Sequence, residues 1–223
     1  MSSEGKDLLP NRQDTVSTRS HWTLKLNNTI HYIFVVDPMC SWCWGFHPVI
    51  EEMRGRYRGR YDFSLAVGGL RTKGAMQWDA PTKAKLKATW QQVADATGQD
   101  FTDNLFQRND FEYDTYPACK AVVTVRELWG DDASFAYLGR IQRAFYLDGA
   151  DITRLQTLKS YLDPDREEEF STFYRSERAE VLMRHDFSKA RSMGANAFPS
   201  VVKIDKDGHM VCKKGYQRME DIL

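Results

Sequence analysis

The chain has 223 residues, 42% of them hydrophobic and 28% charged, enough apolar material for one large domain or a domain carrying an insertion. Its 31 basic and 31 acidic residues cancel to a formal net charge of zero, which excludes the electrostatic footprint of a nucleic-acid or anionic-membrane binder. Four irregularly spaced cysteines exclude a small disulfide-dense scaffold, and no apolar run reaches the roughly 18 residues of a membrane span.

Residues 1–29 are polar, lack the apolar stretch of a signal peptide and read as a disordered leader, so a cytoplasmic protein is expected. Ile30 to Val36, "IHYIFVV", is β-branched and aromatic and reads as a buried strand ended by Asp37-Pro38. Phe46, Val49, Ile50, Met53 and Tyr57 then recur at helical spacing. The basic run Arg54 to Arg60 reads as the solvated C-terminal end of that helix, where cations complement the dipole. "YDFSLAVGG", Tyr61 to Gly69, is a second strand, which completes a βαβ unit with a parallel pair.

From about Thr72 to Met193 the pattern is helical. Helices are expected over Thr82–Ala96 with a stop at Gly98, Pro117–Trp129 with a stop at Gly130, and Ala133–Leu147. Two or three more fall between Ile152 and Met193, one started by Asp163-Pro164. Ser200 to Lys214 reads as a β-hairpin around "KDG", and "QRMEDIL" starts a last helix. The outline is βαβ (30–71), a large helical insertion (72–193) and ββα (194–223), an α/β architecture.

The chemistry concentrates in "VVDPMCSWCWGFHP". Cys40 falls at a strand-to-helix junction, where unpaired N–H groups and the positive dipole end favour a thiolate. Cys43 lies one turn deeper, placed to attack a mixed disulfide on Cys40, so the pair reads as catalytic. Inert core thiols, or half of a zinc site completed by His209 and Cys212, are the alternatives. Residues three apart on a strand point to opposite faces, which disfavours the zinc set, and no metal is expected. Asp37 is a proton-relay candidate or a cap for the entering turn; His47, four after Cys43, is a second relay candidate or a solvated side chain. Trp42 offers an apolar rim to a substrate. Trp44 either joins that rim or packs between the two parts of the chain. Cys119 and Cys212 read as small buried hydrophobes. Pro199 opens a strand, where a proline costs little.

Taken together, "DPMCSWCWGFHP", "VGGLR", "DTYPACKAVV" and "AFPSVV" resemble the DsbA-like branch of the thioredoxin superfamily, and within it the FrnE-like predicted protein-disulfide isomerases. The resemblance brackets nearly the whole chain from Ile30. It implies a thioredoxin fold interrupted by a helical domain and a thiol–disulfide oxidoreductase of isomerase or reductase type. It makes Cys40 the nucleophile, Cys43 the resolving thiol and Pro199 a cis proline. Phe198 and Pro199 then shape a substrate cleft with Ser41, Trp42 and Thr115, the last at the start of a helix that faces the site. The Ser-Trp dipeptide departs from the Pro-His of strongly oxidising members, which leaves the direction of electron flow open. The expected substrate is a disulfide-containing protein or a small thiol, with no bound cofactor and with glutathione or a thioredoxin-type reductant as electron partner. The chain would act as a monomer or homodimer, without nucleic acid or membrane. A glutathione-dependent isomerase or transferase acting on an aromatic small molecule is the alternative enzyme, and a non-catalytic metal- or polypeptide-binding module the alternative outside catalysis.

Overall fold

The computed structural model describes residues 29–72 and 76–223; the leader reading lies, but for Thr29, outside them. Four strands, β1 (His31–Val36), β2 (Asp62–Val67), β3 (Ser200–Ile204) and β4 (Met210–Lys214), form one sheet in the order β2-β1-β3-β4. β1 and β2 are parallel, with His31 opposite Asp62, and the other pairs are antiparallel. Helix α1 (Ser41–Arg56) joins β1 to β2. Between β2 and β3 the described chain holds only helices: α2 (Ala80–Thr97), α3 (Tyr116–Arg143), α4 (Leu155–Lys159), α5 (Glu167–Tyr174) and α6 (Glu177–Ser192), with short 3-10 and π turns. Helix α7 (Met219–Ile222) follows β4.

β1 is buried on both faces, which explains its unbroken apolar run. Tyr32, Phe34 and Val36 face a large cluster built with Phe46, Ile50 and Met53 of α1 and Phe135 of α3. Ile33 and Val35 face a smaller one with Ala190 and Met193 at the end of α6. The helix limits follow local chemistry. Asp79 caps α2 by accepting from the Thr82 N–H at 2.9 Å, and left-handed Gly98 ends it. Gly130, at φ 84° and ψ 178°, breaks α3 into the two expected segments.

Pro48 sits inside α1, where it withholds the N–H that the Trp44 carbonyl would receive. Gln99 Nε2 supplies the missing donor at 3.3 Å. Arg56, Arg58 and Arg60 of the basic run are exposed at the end of α1, as read, but Arg54 is not solvated. Its guanidinium lies 4.0 Å from the Phe135 ring centre and bonds Glu51 at 2.8 Å and Asp132 at 2.5 Å. Among the described residues, no helix is long and apolar enough to cross a membrane.

Candidate active site

The site lies where β1 hands over to α1. Asp37 ends the strand, and its carbonyl accepts from the Cys40 N–H at 3.1 Å. Cys40 is the N-cap of α1, extended at φ −87° and ψ 116°; its thiol makes no capping bond, and the first turn holds no acidic residue. Both thiols are free. Cys40 is 6% exposed and Cys43 1%, so the outer thiol is more covered than an open attacker would be, while the expected order of depth holds.

Across the cleft the Phe198–Pro199 peptide bond is cis. The Cys40 thiol donates to the Phe198 carbonyl at 3.6 Å, a long contact suited to sulfur. This peptide is the one that stands beside the outer thiol. The Phe198 ring lies against Gly68, at the end of β2, so closely that a Cβ there would fall 1.8 Å from Phe198 Cε1.

Cys43 Sγ accepts from the Asp37 N–H at 3.4 Å. Burial, reinforced by the neighbouring Cys40, pushes its thiol well above the usual range, so Cys43 needs a base before it can attack. The candidate base is the Asp37 carboxyl, which is fully buried. It accepts from the N–H groups of Met39 at 2.9 Å and Leu70 at 2.7 Å and from the Cys119 thiol at 3.4 Å. The Met39 contact fits the turn-capping reading of Asp37, and the same buried carboxyl is the candidate for the relay. Burial raises its pKa, and the hydrogen bonds partly offset the rise.

Thr115 is a correction. Its side chain is fully buried, so it does not line a substrate surface. Its hydroxyl accepts from the Arg71 N–H at 3.2 Å and bonds Asp37, holding the loop after β2 against the start of α3. His47 is another. Its ring stacks on Trp44 and faces Gly139 of α3, its Nδ1 is buried without a partner, and burial lowers its pKa. It bonds neither thiol. Trp44 packs parallel to Tyr146 at 5.9 Å and donates to the Asp100 carbonyl, which settles its role as packing. Trp42 is half-buried and rests on Tyr216 at 6.2 Å, while Ser41 is nearly covered.

The zinc ligand set does not assemble. His209 bonds Asp205 in the exposed hairpin loop, and Cys212 packs on the α6 side of the sheet, opposite the face that buries Cys40 and Cys43. Two contributors escaped the sequence reading. Tyr113 donates its hydroxyl to the Met39 carbonyl, and Cys119 reaches Asp37. Their signal was their position flanking Thr115 in "EYDTYPACK", the segment that also opens α3.

A sheet ordered β2-β1-β3-β4, with helices entering between its parallel and antiparallel halves and a cysteine pair facing a cis proline, places the molecule among DsbA-like proteins of the thioredoxin superfamily. The thioredoxin family model matches residues 32–220, and the chain belongs to that family. A protein of Nitrosomonas europaea, proposed to be a protein disulfide isomerase, is 31% identical; the match covers 87% of this chain and 94% of that one, with a TM-score of 0.76. The cytosolic disulfide reductase DsbM of Pseudomonas aeruginosa, also solved with GSH, shares the fold at 24% identity, a TM-score of 0.69 and coverage of 82% and 89%. The ClpXP adapter protein SpxH of Bacillus subtilis is 25% identical over 172 residues, 76% of this chain but 56% of SpxH. The chain therefore spans little more than half the length of that curated relative.

Proposed function

We propose that the chain is a thiol–disulfide oxidoreductase of the reductase or isomerase type. The observation that carries this reading is the placement of the Cys40 thiol beside the peptide before Pro199, with Cys43 behind it accepting from the backbone N–H of Asp37, whose carboxyl is buried. Cys40 attacks a substrate disulfide, and Cys43 resolves the mixed disulfide after losing its proton to Asp37. Phe198, Pro199, Ser41 and Trp42 form the substrate side of the cleft, with the Phe198–Pro199 backbone offering an extended partner. The substrate is a disulfide-bearing protein or small thiol. Glutathione or a thioredoxin-type reductant returns the electrons, a reading supported by the likeness to DsbM, which is described as cytosolic and was solved with GSH. The same likeness supports a cytoplasmic location.

Insulin reduction tests it. Cys40→Ala falls to the uncatalysed rate, and Cys43→Ser accumulates a mixed disulfide visible by intact mass. Full turnover by Cys40→Ala would sink the proposal. The match to SpxH favours a second reading, a polypeptide-binding adapter; that reading gains if a Cys40→Ala, Cys43→Ala chain retains a binding partner while the wild type turns over no disulfide.

A further inference from the structure

Cys119 takes no part in the exchange written above, yet it touches the group on which the second half depends. It lies in the first turns of α3, fully buried, with its N–H donated to the Thr115 carbonyl at 3.0 Å. Its thiol donates to Asp37 Oδ2 at 3.4 Å, the same oxygen that accepts from the Leu70 N–H. Asp37 therefore sits between two thiols, receiving a hydrogen bond from Cys119 and giving its own backbone N–H to Cys43 Sγ.

We propose that Cys119 is a positioning residue of the resolving step, its thiol holding the Asp37 carboxylate oriented and ionised as the acceptor for the Cys43 proton. This rests on the thiol–disulfide reading. In that step the Cys43 thiol passes its proton to Asp37, and the electron pair left on sulfur attacks Cys40 Sγ. The Cys43–Cys40 bond forms as the bond from Cys40 to the substrate sulfur breaks, and the substrate leaves as a thiolate. The substrate disulfide has gained two electrons and the cysteine pair has lost two. Asp37 keeps the proton until a thiol reductant opens the new disulfide, when the proton returns to Cys43. Cys119 keeps its own proton throughout.

The surroundings explain why one weak donor matters. Among the described residues, the titratable groups facing Asp37 are Cys43 of α1, Tyr113 before α3, Cys119 itself and Tyr146 in the π turn after α3, and the Arg71 guanidinium stands 5.6 Å from the Tyr113 ring centre. Burial pushes the two thiols and the two phenols up, so these four are uncharged at neutral pH and none of the four is a compensating cation. The carboxylate then depends on its donors: two backbone N–H groups, the Thr115 hydroxyl and the Cys119 thiol.

The test is stopped-flow reaction of the full chain carrying Cys212→Ser with 5,5′-dithiobis(2-nitrobenzoate). The first thionitrobenzoate released reports attack by Cys40, and the second reports resolution by Cys43. The second rate climbs with pH along a limb set by Asp37. In Cys119→Ala that limb moves up by about one pH unit, a roughly tenfold slower release at a given pH on the limb. Cys119→Ser keeps a donor and returns the limb to its place. Superimposable profiles for Cys119→Ala and the parent overturn the inference, and so does an equal displacement in both variants, which would mean packing alone. Absence of a second release with Cys119 intact overturns the disulfide reading itself.

Discussion

Gly68 has no room for a side chain, because the Phe198 ring already occupies the space where its Cβ would stand. The glycine is thus a condition for the cleft: it lets the peptide before Pro199 come to rest beside Cys40. Gly68→Ala must push that ring away, and the Phe198 carbonyl with it. Overpacking of this kind costs about 1–3 kcal/mol, and misplacing a reacting group by an ångström costs up to about a hundredfold in rate. Insulin turnover should fall by roughly 10- to 100-fold, with a lower urea midpoint; unchanged turnover would separate the ring from the chemistry. "YDFSLAVGG" was legible as a strand closed by glycines, but the ring that explains the first of them lies far along the chain, where periodicity carries no information. The same limit hid Cys119. Its place on the apolar side of a helix was readable, whereas the carboxylate it meets is contributed by the end of β1.

At the scale of elements, β2 is an edge strand that exposes little of its edge. Asp131 Oδ1 accepts from the Leu65 N–H at 3.2 Å, Asp186 Oδ2 accepts from the Val67 N–H at 3.1 Å, and Arg126 donates to the Leu65 carbonyl at 2.6 Å. Arg126 and Asp186 also pair bidentately at 2.7 Å, both buried. Helices α3 and α6 therefore satisfy backbone groups that an unprotected edge would offer to another chain. Asp186→Ala leaves a buried guanidinium without its carboxylate, and about 3–5 kcal/mol of stability should be lost. An Arg126→Met, Asp186→Leu pair should recover much of it, since apolar replacements of both partners are often neutral. Urea denaturation distinguishes the two; a double variant as weak as the single would show that the strand contacts outweigh the ion pair. The helices themselves were legible, with stops at Gly98 and Gly130 where the structure has them. The arginine and aspartate were not, because helical periodicity assigns charges to solvent and a buried pair between distant helices leaves no local mark.

For the molecule as a whole, the sheet and the helices that follow β2 share one apolar cluster, with Phe34 against Phe135 and Trp44 against Tyr146. Two histidines are held in this architecture: His31 begins β1 and bonds Ser64 Oγ at 2.8 Å, and His47 is wedged between Trp44 and Gly139. Burial is the largest cause in each case, and it lowers both pKa values below the ordinary 6.5. A base whose folded pKa is depressed binds fewer protons folded than unfolded, so stability is full above the unfolded value and falls as pH drops through and below 6.5. Asp37 works in the opposite sense. Its raised folded pKa contributes stability that is fully present below 3.8 and is lost as pH rises through the folded value, so it cannot produce a loss on acidification. A decline in urea midpoint between about pH 7.5 and 5 therefore belongs to the histidines. His31→Gln, His47→Gln should flatten that decline even if it lowers stability at every pH. A slope as steep in the double variant as in the wild type would place the acid sensitivity elsewhere and leave the imidazoles as packing alone.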